Sequence, residues 1–269
     1  MDVYKGYKEF TGNASEINEY MENIQPDDFC VNEYLIINNT DTGAESEMRW
    51  DGKNFVGLKL PPQKFMKGKN ALQRCAIDML TNPSITICAV LGGYGAGKTY
   101  LCFKAALYNV LEKERQSKIL GVREVVGEGR SVGYLPGSIE NKTDPFFMPL
   151  IQQLDGGEFE FESLKQRGVI ESNIPYFMKG TTYPDTIVVC DESEDMTEKQ
   201  IRLIGTRLGE NSRIFICGDY KQSVLKTSGE NALIKMCNGL KGHPLFGCVY
   251  LGEDVRSETS KLFATLFEN

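Results

Sequence analysis

Ile85-Thr86-Ile87-Cys88-Ala89-Val90-Leu91 runs directly into Gly92-Gly93-Tyr94-Gly95-Ala96-Gly97-Lys98-Thr99, and this passage decides the fold. A short apolar run, a glycine turn and a helical pattern over residues 100–115 spell strand, tight loop and helix N-terminus. Glycines at these spacings let backbone N–H groups close around an anion where a Cβ would clash. The start of the helix adds partial positive charge. The spacing fits G-x-x-x-x-G-K-[ST], the phosphate-binding P-loop. On that pattern Gly92, Gly93, Tyr94, Gly95, Ala96, Gly97, Lys98 and Thr99 are the expected nucleotide contacts. The amides of residues 93–98 surround the phosphates, Lys98 reaches the β- and γ-phosphates, and the Thr99 hydroxyl holds Mg²⁺.

Two more apolar runs end in polar residues. Ile187-Val188-Val189-Cys190 leads into Asp191-Glu192. After a P-loop this is the Walker B arrangement, with Asp191 expected on Mg²⁺ through its water shell and Glu192 on the attacking water. An acid at that place favours hydrolysis over transfer to a bound acceptor. Cys217-Gly218-Asp219-Tyr220-Lys221-Gln222 closes a further strand, and the glycine turns the chain at the sheet edge where open α/β sheets bind ligands. Gln222 is then expected to touch the γ-phosphate or the water.

Outward from these, short apolar strands at 85–91, 118–122, 186–190, 213–217 and 248–251 alternate with helical patterns. The helices are expected at 70–80, 99–115, 146–154, 163–168, 198–208, 229–240 and 257–268. Such alternation predicts a three-layer α/β domain of the P-loop NTPase (RecA-like) kind, with a mostly parallel sheet covered on both faces. Residues 127–139, rich in glycine, are an expected active-site loop. Residues 1–62 read differently: a helix at 14–23, a strand at 29–38, and turn signals at Thr40-Asp41-Thr42-Gly43 and Asp51-Gly52. They predict a small N-terminal extension with a β-hairpin, ending at Pro61-Pro62. The ATPase-type domain is expected over 63–269.

With 269 residues the chain can bury a full core. It carries eight cysteines without a C-x-x-C pair, several inside apolar runs, which reads as buried free thiols in a reducing compartment. One histidine, His243, cannot build a His-rich metal site or a triad. No apolar stretch is long enough to span a bilayer, and Met1-Asp2-Val3-Tyr4-Lys5 lacks the layout of a signal peptide. A cytoplasmic protein with no membrane partner is expected. The net charge of −7 argues against nucleic-acid binding driven by overall charge. Local basic tracks exist at Lys64, Lys67, Lys69 and Arg74, and at Lys199, Arg202, Arg207 and Arg213; the bland reading of each is a solvated face.

Together these residues resemble the PhoH-like family, which is related to superfamily 1 helicase cores. Gly133-Tyr134-Leu135-Pro136-Gly137, Lys142 and Asp144-Pro145-Phe146 are similar to the family's "GFLPG…K…DPY" stretch. Pro175-Tyr176-Phe177-Met178-Lys179-Gly180-Thr181-Thr182 is similar to "YxRGRT", Thr206-Arg207-Leu208-Gly209 to "TRxG", and Asp254-Val255-Arg256 to "DVVR". Asn70-Ala71-Leu72-Gln73 resembles the "NxxQ" whose glutamine contacts adenine in related ATPases. The resemblance covers about 69–260. The family's "RP" is Arg123-Glu124 here, its "RGRT" is Lys179-Gly180-Thr181-Thr182, and its "DEAQN" is Asp191-Glu192-Ser193-Glu194-Asp195, so the two acids are kept.

The resemblance implies Mg²⁺-dependent ATP hydrolysis, with Lys98, Glu192 and Gln222 at the γ-phosphate and an arginine for the transition state. Arg256 is the first candidate by its place in the pattern, followed by Arg123, Arg207 and Arg213. Longer relatives carry an upstream PIN nuclease domain after which a segment like 29–60 follows. The roughly thirty residues ahead of that segment are too few for such a nuclease, so ribonuclease activity is not carried over. Superfamily 1 motors close two lobes on nucleotide, and this length holds one. A homo-oligomer is therefore expected, a hexameric ring favoured, with the arginine supplied across the interface. Two functions follow: an ATPase coupled to single-stranded RNA or DNA, or an ATP-dependent switch or scaffold acting on a protein. A small-molecule kinase has no natural use for Asp191-Glu192 and Gln222.

Overall fold

A computed structural model describes residues 3–93, 95–124, 147–152, 154–223 and 231–252. Its centre is a six-stranded sheet in which every pairing is parallel. We number the elements along the chain. The N-terminal part holds β1 (Tyr7–Gly12), α1 (Ala14–Asn23), β2 (Tyr34–Asn39), β3 (Glu45–Trp50) and β4 (Phe55–Gly57). There follow α2 (Ala71–Thr81), β5 (Ile87–Gly92), α3 (Lys98–Leu107), β6 (Lys118–Arg123), α4 (Met148–Ile151), α5 (Gly157–Gln166) and β7 (Ile170–Asn173). The described chain ends with β8 (Thr186–Asp191), α6 (Glu198–Gly205), β9 (Arg213–Gly218), α7 (Ala232–Leu240) and β10 (Phe246–Leu251).

The strand order is β10-β5-β9-β8-β6-β7. Successive residues in a strand face opposite sides. Ile187 and Val189 of β8 thus join one apolar cluster with α2, α3 and α5, while Val188 and Cys190 join another with α6 and α7. Both faces of the sheet are covered, which is why its strands read as continuous apolar runs. The expected three-layer architecture is present. All eight cysteines are free thiols, and seven of them are buried.

The N-terminal part is larger than the expected hairpin. It is a four-stranded sheet of order β1-β2-β3-β4, with β1 parallel to β2 and the other pairs antiparallel. Leu35 and Ile37 face α1 in a small core with Phe29 and Trp50, while Tyr34 and Ile36 face α2 and the main core. The Tyr34 hydroxyl (2.9 Å), Arg49 Nε (3.0 Å) and the Lys59 N–H (2.7 Å) all donate to the buried carboxylate of Asp78 on α2. Tyr250 of the edge strand β10 donates its N–H to the Lys5 carbonyl at 2.9 Å.

Other boundaries differ from the sequence reading. The strand expected at 29–38 starts at Tyr34, because Pro26–Asp28 forms a 3-10 turn and Asn32 takes a left-handed conformation, φ 66°. The helix expected over 99–115 leaves α geometry after Leu107 for a π turn at Tyr108–Glu112. The helix expected at 163–168 begins at Gly157, and β7 follows it. The glycine-rich loop expected at 127–139 and the helix expected at 257–268 lie outside the described residues. Among the described residues no helix is long and apolar enough to cross a membrane.

Candidate functional site

Three strands of the parallel sheet, β5, β8 and β9, deliver their C-terminal ends to one place. From β5 the glycine loop leads into α3. Gly92 closes the strand, and Gly97, with φ 90°, stands at the N-cap of α3, a conformation that suits glycine. Lys98 Nζ donates to the Gly93 carbonyl at 2.9 Å. Ala96 is buried, and its carbonyl accepts from Gln73 Nε2 at 3.0 Å. Gln73 Oε1 in turn accepts the Lys69 N–H at 2.9 Å. Gln73 therefore braces the loop from α2, with both ends of its amide engaged in the protein.

From β8 come the two acids. Asp191 is buried and its Oδ1 accepts from the Thr99 hydroxyl at 2.7 Å and from the Cys217 thiol at 3.2 Å. Asp191 and Arg123 are register partners across β8 and β6. That pairing brings the guanidinium 3.7 Å from Asp191 Oδ2 and 3.4 Å from Glu192 Oε1. Glu192 holds φ 48°, an uncommon conformation for a side-chain-bearing residue, at the turn out of the strand. From β9 come Gly218 and the turn to Gln222, whose side-chain amide is fixed on the Asp219 carboxylate.

These pieces line one cleft of ≈ 240 Å³: Gly95, Gly97, Lys98 and Thr99 on one side, Asp191, Glu192, Gly218 and Gln222 on the other. Tyr100 and Glu194 complete it. Thr99 and Asp191 present hard oxygen atoms side by side, which suits Mg²⁺. A larger cleft, ≈ 720 Å³, lies at the opposite end of the sheet. Its buried acid, Asp78, is already saturated by the three donors named above.

Glu194 is the residue that pattern reading passed over. It sits in an acidic run that looks solvated, yet it is 3% exposed, and its Oε2 has no hydrogen-bond partner among the described residues. A Cβ on Gly218 would stand 2.5 Å from that oxygen. Burial, with the neighbouring Glu192 carboxylate adding to it, pushes the Glu194 carboxyl up to about 8. Its signal was the apolar strand just ahead, after which the turn carries Ser193 and Glu194 inward.

A model of the PhoH-like protein family matches residues 65–268. The chain belongs to the PhoH-like family. Protein PhoH2 of Bacillus subtilis (strain 168) is 26% identical over 98% of this chain and 64% of its own length. Protein PhoH2 of Mycolicibacterium smegmatis is 30% identical over 76% of this chain and 47% of its own. The PhoH-like protein of Bacillus subtilis is 36% identical over 56% of this chain and 48% of its own. The chain thus spans between 47% and 64% of these curated relatives. Among solved structures, the helicase nonstructural protein 10 of an arterivirus aligns with TM-score 0.34 at 16% identity, over 81% of this chain and 47% of that one. That likeness is too loose to bear on function.

As a PhoH-like chain with this fold the protein is a P-loop NTPase. Of the other PhoH-like segments, Pro175–Met178 is a 3-10 turn after the C-terminal end of β7. Leu208 of the "TRxG" segment bridges to Tyr183 ahead of the first residues of β9 and β8, at the end of the sheet away from the cleft. Tyr94, Arg256 and the segment 133–146 lie outside the described residues. Of the other arginines weighed for the transition state, Arg123 reaches the acids and Arg207 is half-buried, its Nε without a partner among the described residues. Arg213 does not qualify. It is 2% exposed at the start of β9, the far end from the cleft, and donates to the carbonyls of Met79, Leu80, Asn82 and Ile85. The sequence allows it a place in a basic track or on a solvated face; burial at the base of the sheet excludes both.

Proposed function

We propose that this chain hydrolyses ATP to ADP and phosphate with Mg²⁺, coupled to binding or remodelling single-stranded RNA or DNA. The observation that carries the reading is the meeting of the glycine loop, Lys98 and Thr99 with Asp191 and Glu192 in one cleft. In this reading the amides of residues 93–98 and the Lys98 ammonium hold the phosphates, and Lys98 exchanges the Gly93 carbonyl for phosphate oxygen. Thr99 and Asp191 hold Mg²⁺, which supplies charge neutralisation on the phosphates. Glu192 orients a water and takes its proton as the oxygen attacks the γ-phosphorus; the γ-phosphoryl group leaves ADP. Gln222, steadied by Asp219, senses the γ-phosphate. Gln73 sets the loop from behind, whatever contact it makes with the base.

The transition-state cation is Arg256 or Arg123. The proposal includes a homo-oligomer, a hexameric ring, in which an arginine crosses the interface. Light scattering that finds a monomer with full turnover removes the ring.

Phosphate release from Mg·ATP, with and without single-stranded RNA or DNA and beside a Glu192→Gln control, tests the whole. Stimulation by nucleic acid that the control abolishes is the expected result. Slow release that depends on Glu192 but ignores nucleic acid points instead to a switch or scaffold with a protein partner.

A further inference from the structure

Among the described residues the large exposed apolar side chains are scattered, except at one place. Tyr176 and Phe177 are neighbours, 67% and 45% exposed, with rings 5.2 Å apart and nearly perpendicular. They do not dangle. Pro175 and Met178 on either side are buried, and the Phe177 N–H donates to the Ile174 carbonyl at 3.1 Å. The turn leaves the C-terminal end of β7, so it stands on the same edge of the sheet as the glycine loop and Asp191.

Cations lie on the turn and on the helix packed against it. Lys179 Nζ lies 5.1 Å from the centre of the Tyr176 ring. Helix α6 packs against the turn. It turns Ile201 and Ile204 toward the cluster that holds Met178, and leaves Lys199 and Arg202 exposed. Among the described residues none of these three cations has an ion-pair partner, while Glu198, the acid of α6, is taken by Lys235 at 3.0 Å. In a chain of net charge −7 this is a local reversal of sign. Flat aromatic faces beside unpaired cations complement a strand of unstacked bases on a phosphate backbone. An apolar protein partner would leave the cations without counter-charge. Helix α6 is also tied to the chain leaving β6: Gln200 donates to Glu124, the residue after Arg123.

We propose that Tyr176 and Phe177, with Lys179, Lys199 and Arg202, form a stacking platform for single-stranded nucleic acid. It rests on the nucleic-acid reading above and says where on the surface the strand lies. Bases stack on the two rings, and the cations take the phosphates.

The test is fluorescence anisotropy of labelled oligo(U) and oligo(dT), each of about 15 nucleotides, titrated with the full chain. Wild-type protein binds one or both, with affinity that falls as salt rises. The double variant Tyr176→Ala/Phe177→Ala binds at least roughly tenfold more weakly, and Tyr176→Phe keeps wild-type affinity. The charge reversal Lys199→Glu/Arg202→Glu weakens binding and flattens its salt dependence. ATP hydrolysis without oligonucleotide is unchanged in each, which shows an intact fold. Wild-type binding that the variants leave untouched overturns the platform alone; no binding by wild type overturns the nucleic-acid reading with it. Light scattering closes the remaining route: oligomers lost in the double alanine variant with binding retained make this surface a contact between copies, and the proposal fails.

Discussion

The Thr99 hydroxyl donates to Asp191 Oδ1 at 2.7 Å, although 92 residues separate the two in the chain. Thr99 opens α3 after the glycine loop, and Asp191 ends β8, two strands away. The bond therefore ties the phosphate-cradling side of the cleft to its acidic side through the two oxygens that suit a metal ion.

Thr99→Ala removes one of those oxygens and Thr99→Ser keeps it. We expect the alanine variant to need on the order of tenfold more Mg²⁺ for half-maximal ATP hydrolysis, with the serine variant near wild type. A Mg²⁺ titration of phosphate release reads this directly. Equal Mg²⁺ requirements in both variants would take Thr99 off the metal.

Arg123 spans Asp191 and Glu192. Replacing it with alanine strips a cation from beside the acid pair. The expected loss in kcat is on the order of 10²-fold, with ATP affinity little changed. Steady-state kinetics beside fluorescent-nucleotide binding separates the two quantities. If kcat is retained and Arg256→Ala loses it, the transition-state role belongs to Arg256.

Glu194 makes stability depend on pH in an unusual direction. Its carboxyl is held at about 8 in the fold, against 4.5 when exposed. Below the unfolded value both states are protonated and nothing is lost. As pH rises toward the folded value the unfolded chain ionises first, so stability falls across that window. Glu194→Gln removes this slope: the difference in thermal midpoint between variant and wild type should grow between about pH 5 and pH 8 in favour of the variant. Parallel midpoints over that range would show that Glu194 ionises freely in the fold.

Arg213 holds the base of the sheet together. Its guanidinium satisfies carbonyls at the end of α2 and in the turn that follows, burial lowers its pKa, and among the described residues no carboxylate pairs with it. Arg213→Met fills the space but orphans those carbonyls. A loss of about 3 kcal/mol or more in urea unfolding is expected. A stability within about 0.5 kcal/mol of wild type would mean that the carbonyls find water instead.

What the sequence made legible follows from burial. The strands β5, β8 and β9 are enclosed on both faces, so their apolar runs and the polar residues at their ends stood out together. The glycine loop, Asp191, Glu192 and Gln222 were readable for that reason, and the structure gathers them. β1 was not: in Tyr7-Lys8-Glu9-Phe10-Thr11-Gly12 only Gly12 is buried, so no alternation marks the strand. β7 is an edge strand with Ile170 alone buried. Glu194 drew no reading of its own, and for Arg213 a solvated face was one reading, because charge predicts exposure; here the neighbouring backbone carries both inward. Gln73 was placed at the base by resemblance, and its bonds to Ala96 and Lys69 depend on contacts no local pattern contains.

β9 lies between the strand that feeds the glycine loop and the strand that ends in the acids. Their separation is therefore two backbone steps of about 4.8 Å each, set by main-chain hydrogen bonds. The sheet works as a caliper with fixed jaws. Substitutions in the loops can change the charge that each jaw carries, but the span between them changes only if β9 itself is displaced.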